Sequence, residues 1–382
     1  MSPLGISDNV LRVMKSETFN HVVWHLPADI EPGTYWYHSH LHGLVEKQVF
    51  SGLSGVLIVD GLEELLPPTL QAVPQEVVAL KDLQVKNGAI VNTNIDSNAP
   101  TTRTVNGQVD PVLNVGTNET QMLRLANIGA DIWYRLQLSG TQFRVIAEDA
   151  NPVAQVWTAD ELVLPPGKRF DVLVRWPEAG IQTLKTLPYS TGPDGDSYPE
   201  RRLMTVNVSG AAVPDVAWPT SVAAPSPLAT DHVDRTRHLV FSENTKTNQF
   251  YINGKQFDAT HVNFVAKLGT TEEWIIQNVS REEHPFHIHV NDFLVMAING
   301  KPVQSHSEQD TVPLPVRGEV RIRMHFNRFV GATVFHCHIL AHEDNGMMGI
   351  IDITKDGRPS KATQRALDQM NREMAGQHMA HD

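Results

Sequence analysis

The sequence predicts an all-β protein made of three tandem antiparallel β-sandwich modules, the first incomplete, followed by a short C-terminal helix. Segments such as "QMLRLAN", "DVLVRW" and "VRIRMHF" alternate apolar and polar residues with the period of two that is typical of half-buried strands. Turn sequences such as "NGK" and "GPDG" separate them, and 24 Pro with 25 Gly fit short strands joined by many turns. Related segments recur along the chain, which indicates repeated use of one sandwich.

Two proline-rich segments, 62–75 and 211–232, divide the chain because proline disfavours both helix and sheet pairing. We therefore predict a first module at 1–62, a second at 75–210, a third at 233–356 and a helical tail at 357–382. The first module is short for a sandwich of about 100 residues. In the tail, Ser360 is the expected N-cap, and Leu367 lies on an apolar face that we expect to dock on the protein.

The repeats relate the three modules to one another. "VNGQVDPVLNVGTNETQMLRLANIG" of the second module is similar to "INGKQFDATHVNFVAKLGTTEEWIIQNVS" of the third. "TYWYHSHLHG" of the first is similar to "TVFHCHILAH" of the third. Where the third module has "HPFHIH", the second reads "WYRLQL". The sequence thus predicts that the third module binds metal, whereas the second has only a structural role.

Composition excludes several classes of function. The net charge of -12 disfavours nucleic-acid binding, which needs clustered Lys and Arg. No apolar run approaches the roughly 20 residues of a membrane-spanning helix. A single cysteine excludes an internal disulfide framework. The opening "MSPLGISDNV" lacks the basic and apolar segments of a secretory signal.

Half of the 18 histidines fall in three short motifs, "HSHLHG", "HPFHIH" and "HCHILAH". These histidines are His38, His40, His42, His284, His287, His289, His336, His338 and His342. Residues two apart on a strand share a face about 7 Å apart, so the pairs 38/40, 287/289 and 336/338 each face one way. Six imidazoles from three strands are therefore expected to form one cluster, and we place His42 outside the ligand set.

The only cysteine, Cys337, lies between His336 and His338 and must face the opposite side of its strand. A thiolate with imidazole and a thioether is the ligand set of a blue-copper site, and His342 and Met347 follow at short range. His284, placed before a proline that interrupts the strand, is the expected second imidazole. Taken singly, such residues are ordinary core or surface groups, but their combination favours a metal site.

These motifs resemble those of the multicopper oxidases, laccase-like enzymes built from three cupredoxin modules, and the resemblance covers nearly the whole chain. It implies a type 1 copper held by His284, Cys337, His342 and Met347. It implies that His287 binds a type 2 copper. The type 3 pair would be bound by His38, His40, His289, His336 and His338, giving about four coppers in a complete site.

The resemblance also implies a reaction. Four one-electron oxidations of a small reductant would reduce dioxygen to water, with electrons passing from Cys337 through its two histidine neighbours. Glu343 is placed like the acid that relays protons, and Asp8 like an acid near the type 2 copper. The reductant could be a phenol, an aromatic amine, cuprous ion or manganous ion. The resemblance implies a periplasmic or extracellular location.

One element of the family pattern, an early His–X–His–Gly motif, is not found in this sequence. Six cluster histidines stand where the family uses eight, and we expect an amino-terminal truncation of a longer protein. His21 and His25 are too far apart, at roughly 13 Å along an extended strand, to replace the motif. A blue-copper electron-transfer protein without oxidase turnover is therefore an alternative, and a copper-free structural relative is a third.

Overall fold

The computed structural model describes residues 10, 13–14, 26–91, 95, 98 and 100–378. Asp8, His21 and His25 lie outside the described residues. The described chain is mostly β, with multiple sheets and few helices, so the predicted fold class is confirmed. None of its helices has both the length and the apolar character needed to cross a membrane.

The second module has two large sheets packed face to face and two small two-stranded sheets. Its strands are β3 (Gln75–Leu83), β4 (Val85–Lys86), β5 (Ala89–Ile90), β6 (Thr102–Val105), β7 (Val112–Gly116), β8 (Thr120–Asn127), β9 (Tyr134–Leu138), β10 (Phe143–Glu148), β11 (Asn151–Ala159), β12 (Glu161–Leu164), β13 (Arg169–Arg175), β14 (Gly180–Leu187), β15 (Tyr189–Ser190), β16 (Ser197–Tyr198) and β17 (Arg201–Ser209). A six-stranded sheet has the order β11-β10-β13-β8-β3-β6, and a five-stranded sheet has the order β12-β9-β14-β17-β7.

The third module repeats this architecture. Its elements are β18 (Arg235–Asn244), β19 (Gln249–Ile252), β20 (Phe264–Lys267), β21 (Thr270–Asn278), β22 (His284–Ile288), β23 (Phe293–Ile298), β24 (Lys301–Pro302), β25 (Thr311–Leu314), β26 (Glu319–Phe326), β27 (Gly331–Cys337), α2 (Leu340–Asp344) and β28 (Met348–Thr354). The sheet orders are β19-β18-β21-β26-β23-β24 and β20-β28-β27-β22-β25. Strand for strand, these orders match those of the second module.

Strand register makes the match residue-specific. Tyr134 pairs with Leu164 in the second module, as His284 pairs with Leu314 in the third. Leu136 pairs with Thr186, as Phe286 pairs with Cys337. The equivalent of "HPFHIH" is therefore "YRLQLS", one residue later than the sequence comparison predicts. Asn127 and Asn278 occupy matched positions before these strands, and the loop from Asn127 to β9 is one residue longer than the loop from Asn278 to β22. The sequence comparison missed the shift because it did not include this extra loop residue.

In the first module, the described residues form a hairpin of β1 (Gly33–His38) and β2 (Ser54–Val59) with the short helix α1 (Val45–Phe50) between them. The hairpin corresponds to β27, α2 and β28 of the third module, where a strand, a short helix and a second strand follow in the same order. Its position is fixed by Asp344, whose carboxylate accepts hydrogen bonds from backbone N–H groups at the start of α1.

Each complete sandwich encloses its own apolar core. Trp133 and Trp176 lie at the centre of the second module, and Trp274 lies at the centre of the third. Three single 3₁₀ turns lie at Glu63–Leu65, Pro68–Leu70 and Pro227–Ala229. The tail forms helix α3 (Lys361–His378), as predicted, and its Leu367 is buried in a small cluster with Val334 and Ile350.

A buried ionic network, which we call the seam, joins the three modules. Lys168 Nζ lies 2.8 Å from Asp149, and Arg169 lies 2.8 Å from Asp310 of the third module. Arg169 also donates a hydrogen bond to the backbone carbonyl of Thr34 in the first module. Because buried charges are stable only when paired and hydrogen-bonded, this network holds the modules in one arrangement.

Candidate metal centre

The six cluster histidines come from three strands that meet between the first and third modules. His38 ends β1 and His40 follows it, His287 lies on β22 with His289 just beyond, and β27 supplies His336 with His338 just beyond. In the third module, strands β22 and β27 are neighbours with His287 paired to His336. Strand alternation therefore places these rings on one face, as the sequence predicted.

Three of the imidazoles converge on one point. The Nε2 atom of His40 lies 3.1 Å from Nε2 of His289 and 3.3 Å from Nε2 of His336. The Nε2 atoms of His289 and His336 are 3.2 Å apart. Three ring nitrogens aimed at one another cannot all be satisfied by ring protons, whereas one metal ion can accept a lone pair from each. These three residues form a candidate metal group.

The backbone orients several of the rings. Nδ1 of His38 lies 2.8 Å from the carbonyl of Ser39, and Nδ1 of His336 lies 2.8 Å from the carbonyl of Cys337. Nδ1 of His287 lies 2.8 Å from the carbonyl of Asp310. A carbonyl only accepts, so each Nδ1 carries the proton and each Nε2 keeps its lone pair free for a metal.

The other three cluster histidines lie beside this group. The ring centroid of His338 is 5.5 Å from that of His38 and 5.2 Å from that of His287. Both ring nitrogens of His338 are buried without a hydrogen-bond partner, which is costly for a neutral imidazole and fits a metal ligand. Trp36 stacks on His38 at 4.3 Å. A Cβ on Gly167 of the second module would meet the His338 ring at 2.8 Å, so that residue's lack of a side chain makes room for the ring.

Glu343 is fully buried between two of the cluster histidines. Its carboxyl oxygens lie 3.4 Å from Nδ1 of His40 and 3.1 Å from Nδ1 of His336. Burial, with the charge of Asp344 beside it, raises the pKa of Glu343 well above its usual value. The carboxyl group can therefore hold a proton next to the cluster at neutral pH.

A second candidate group lies on the other face of β27. Cys337 Sγ is 3.7 Å from Nδ1 of His284 and 3.7 Å from Nδ1 of His342, and the two Nδ1 atoms are 3.2 Å apart. Met347 is fully buried in the same core, and its carbonyl accepts the backbone N–H of Cys337. The geometry thus brings together the thiol and both imidazoles of the predicted blue-copper set and places Met347 beside them.

Burial sets the protonation of both groups. It lowers the pKa of His38 to about 4 and that of His284 to about 3, so both are neutral at physiological pH. It also lowers the pKa of His40, His289 and His336 well below the usual value. Burial raises the pKa of the Cys337 thiol, so a thiolate there requires a cation. Neutral imidazoles and a thiol that yields its proton to a metal fit copper.

Two glutamates of the site lie outside the sequence motifs, so the sequence did not indicate them. Glu243 and Glu282 face the outer nitrogens of the thiol group's histidines, Nε2 of His284 at 3.5 Å and Nε2 of His342 at 3.7 Å. Only the position of Glu282 two residues before His284 offered a local signal. His42 packs against Phe257 with ring centroids 4.5 Å apart and the rings tilted by 57°, and it belongs to neither candidate group.

Two cupredoxin-type sandwiches, with a thiol and imidazole group on one face of a strand and an imidazole cluster on the other, define a copper oxidoreductase. Three family models described as multicopper oxidase match residues 15–64, 74–182 and 230–357, together most of the chain. The chain belongs to the multicopper oxidase family. It is a laccase-like copper oxidoreductase that uses dioxygen, and copper is its cofactor.

Relatives agree with this assignment. Multicopper oxidase mco of Staphylococcus aureus is 28% identical over 335 residues, covering 85% of this chain and 69% of the relative. The laccase of Bacillus subtilis is 25% identical over 382 residues, covering 88% of this chain and 73% of the relative. The structure of a Campylobacter jejuni multicopper oxidase described as a metallo-oxidase superposes with a TM-score of 0.75 at 28% identity, covering 85% of this chain and 73% of that one.

Proposed function

We propose that Cys337, His284, His342 and Met347 hold the type 1 copper, which accepts electrons from the reductant. His40, His289 and His336 hold one copper of the type 3 pair, since their three Nε2 atoms already converge. His38 and His338 contribute to the second type 3 copper. His287 contributes to the type 2 copper, with its Nδ1 proton on the Asp310 carbonyl. Copper held by these residues would supply the redox chemistry that couples one-electron oxidations to the reduction of dioxygen to water.

The main support for the proposal is that two neighbouring residues belong to two different candidate metal groups. Cys337 belongs to the buried thiol group, and His336 belongs to the three-imidazole group. The two candidate sites are thus joined through a single peptide link. This is the arrangement needed to pass electrons from a site that receives them singly to a site that reacts with dioxygen.

Other residues of the chain would supply a proton, exclude water and orient a ligand ring. Glu343 holds a proton beside His40 and His336, where dioxygen reduction consumes protons. Phe250 stacks on His342 at 3.9 Å, and the third module's apolar core encloses Cys337, so water is kept from the thiol. Seam residue Asp310 fixes the ring of His287 through its backbone carbonyl. When bound, copper supplies the one-electron redox chemistry.

For the reductant we propose a small one-electron donor, either a phenol, an aromatic amine or a metal ion. We also infer a periplasmic or extracellular location, as the family resemblance implies. Asp8, assigned to acid catalysis near the type 2 copper, remains part of the proposal by resemblance alone.

The test is copper bound per chain after anaerobic reconstitution, with an electron paramagnetic resonance spectrum of the same sample. We expect a type 1 signal with narrow hyperfine splitting together with a type 2 signal, and about four coppers by the family's count. A sample with about one copper and only the type 1 signal would contradict the cluster assignment and favour an electron-transfer role. A sample with no type 1 signal would contradict the proposed role of Cys337.

A further inference from the structure

Val290, the residue directly after His289, has a backbone conformation that valine rarely adopts. Its φ is 63°, in the left-handed region, where a β-branched side chain crowds the main chain. Ten other non-glycine residues of the described chain have positive φ, and eight of them are Asn or Asp, which tolerate it. Val290 is the only β-branched residue in this set. Backbone strain of this kind persists only where the surrounding structure enforces it, and it concentrates at functional sites.

The second module builds the same turn without a β-branched residue. Strand β9 matches β22, so the turns that follow these two strands can be compared position by position. Gly140, with a φ of 71°, stands where the third module has Val290, and each lies three residues before a strand that begins with phenylalanine. Glycine adopts this conformation at no steric cost. The fold therefore requires a left-handed backbone at this position but does not require valine.

Hydrogen bonds fix the turn on both sides of Val290. The backbone N–H of His289 donates to the carbonyl of Val334 at 3.0 Å, and Asn291 Nδ2 donates to the carbonyl of His289 at 3.3 Å. Beyond the turn, the first residue of β23 forms two backbone hydrogen bonds of 2.8 and 2.9 Å. These bonds hold Val290 in its left-handed conformation. Because valine has fewer alternative conformations than glycine, the turn is also stiffer than its counterpart in the second module.

The ring of His289 depends on this backbone more than the other two imidazoles of its group do. Nδ1 of His336 lies 2.8 Å from a backbone carbonyl, and Nδ1 of His40 lies 3.4 Å from Glu343. Within the part of the chain that the structure describes, the hydrogen bonds of the His289 ring are those of Nε2 toward His40 and His336. Because Nδ1 of His289 has no such anchor among the described residues, the main chain sets the direction in which Nε2 points.

We propose that Val290 is a positioning residue for the three-imidazole group. Its β-branched side chain narrows the conformations open to the turn, so Nε2 of His289 points at His40 and His336 before a metal ion binds. The strained backbone lowers the stability of the fold, and metal affinity rises because less ordering is left for the binding step. The inference rests on the proposed function, in which these three histidines hold one copper of the type 3 pair.

The first experiment measures thermal unfolding of the copper-free protein. Val290→Gly removes the strain and should raise the unfolding midpoint by about 2 °C or more. Val290→Ala keeps a Cβ in the left-handed region and should give a smaller rise. Arg317→Gly is the matched control, because Arg317 also has a positive φ, of 51°, and lies exposed in the turn between β25 and β26. A lower midpoint in Val290→Gly would overturn the inference, since valine would then stabilise the turn by packing.

The second experiment titrates copper beyond the type 1 equivalent against a competing chelator, with the blue absorption recorded on the same samples. Val290→Gly should bind this cluster copper about tenfold more weakly with an unchanged blue absorption, because His289 must be ordered during binding. Val290→Ala should lie between Val290→Gly and the wild-type protein, and Arg317→Gly should keep the wild-type affinity. An unchanged cluster affinity in Val290→Gly, or equal losses in the two glycine variants, would contradict the positioning role.

Nuclear magnetic resonance of isotope-labelled histidine rings in the copper-free protein separates this inference from the proposed function. The ring signals of His289, assigned with His289→Gln, should be single and sharp in the wild-type protein and broadened or doubled in Val290→Gly. Identical signals in the two proteins would show that Val290 does not order the ring. A wild-type protein that binds only the blue copper contradicts the proposed cluster, whereas the ring signals still decide whether Val290 positions His289.

Discussion

The second and third modules are the same sandwich with different side chains at matched positions. Thr186 occupies the place of Cys337, and Lys185 the place of His336. Between the last two strands of the five-stranded sheet, the second module has the β15–β16 hairpin, whereas the third has α2 with His342 and then Met347. The core therefore does not require the ligands. Metal chemistry is an addition to a fold that is stable without it.

The strongest test of this comparison makes a small change at each of two matched positions. Cys337→Ser should abolish the blue absorption and lower oxidase activity at least about a thousandfold, because hydroxyl oxygen does not replace the thiolate. Thr186→Ser, at the equivalent position, should change neither and should cost only about 1 kcal/mol of unfolding free energy for its lost methyl group. Visible spectra, turnover and urea unfolding check both. A blue Cys337→Ser protein would disprove the assignment.

The pH dependence of copper binding offers a second test. Burial raises the pKa of the Cys337 thiol, while burial lowers the pKa of His284 to about 3. At neutral pH, only the thiol must then lose a proton when the type 1 copper binds. Affinity should therefore rise about tenfold per pH unit below the thiol pKa, with about one proton released per copper. Calorimetry in buffers of different ionisation enthalpy measures this proton, and its absence would contradict the thiolate ligand. In Cys337→Ser, this proton should be missing.

A third test concerns Gly167, where the second module lies against the cluster. Gly167→Ala should displace the His338 ring, because the added Cβ would lie 2.8 Å from it. We expect a several-fold loss of activity and a shortfall in cluster copper with a normal blue absorption. Gly107→Ala is the matched control, since Gly107 also has a positive φ, of 77°, but nothing within 4 Å. Equal losses in the two variants would assign the effect to backbone strain.

The smallest effect on copper chemistry is expected in the core. Leu136 and Phe286 occupy equivalent, fully buried positions, and Phe286 pairs with Cys337. Leu136→Ala should cost about 2–5 kcal/mol of unfolding free energy and leave the blue absorption unchanged. Phe286→Ala should cost a similar amount and also shift the absorption maximum. A spectral change in Leu136→Ala would show that the second module's core is coupled to the copper site.

The sequence was most informative about the site where the candidate ligands lie in short motifs. The period of two placed His287 and His289 on one face, and the single cysteine between two histidines indicated two sites back to back. It failed by one residue on the match of "WYRLQL" to "HPFHIH", because an extra loop residue is invisible without strand pairing. It also missed contacts between residues far apart in sequence, such as Gly167 with His338 and Glu243 with His284.

The seam sets a rule for recombining this protein with its relatives. Lys168, Asp149, Arg169 and Asp310 are mutual counter-ions drawn from two modules, and Arg169 also bonds the backbone of a third. A chimera with a crossover between modules would keep some of these charges and lose their partners, at a cost of several kcal/mol for each stranded ion. Functional hybrids should therefore arise only when the seam residues are exchanged as one inherited block.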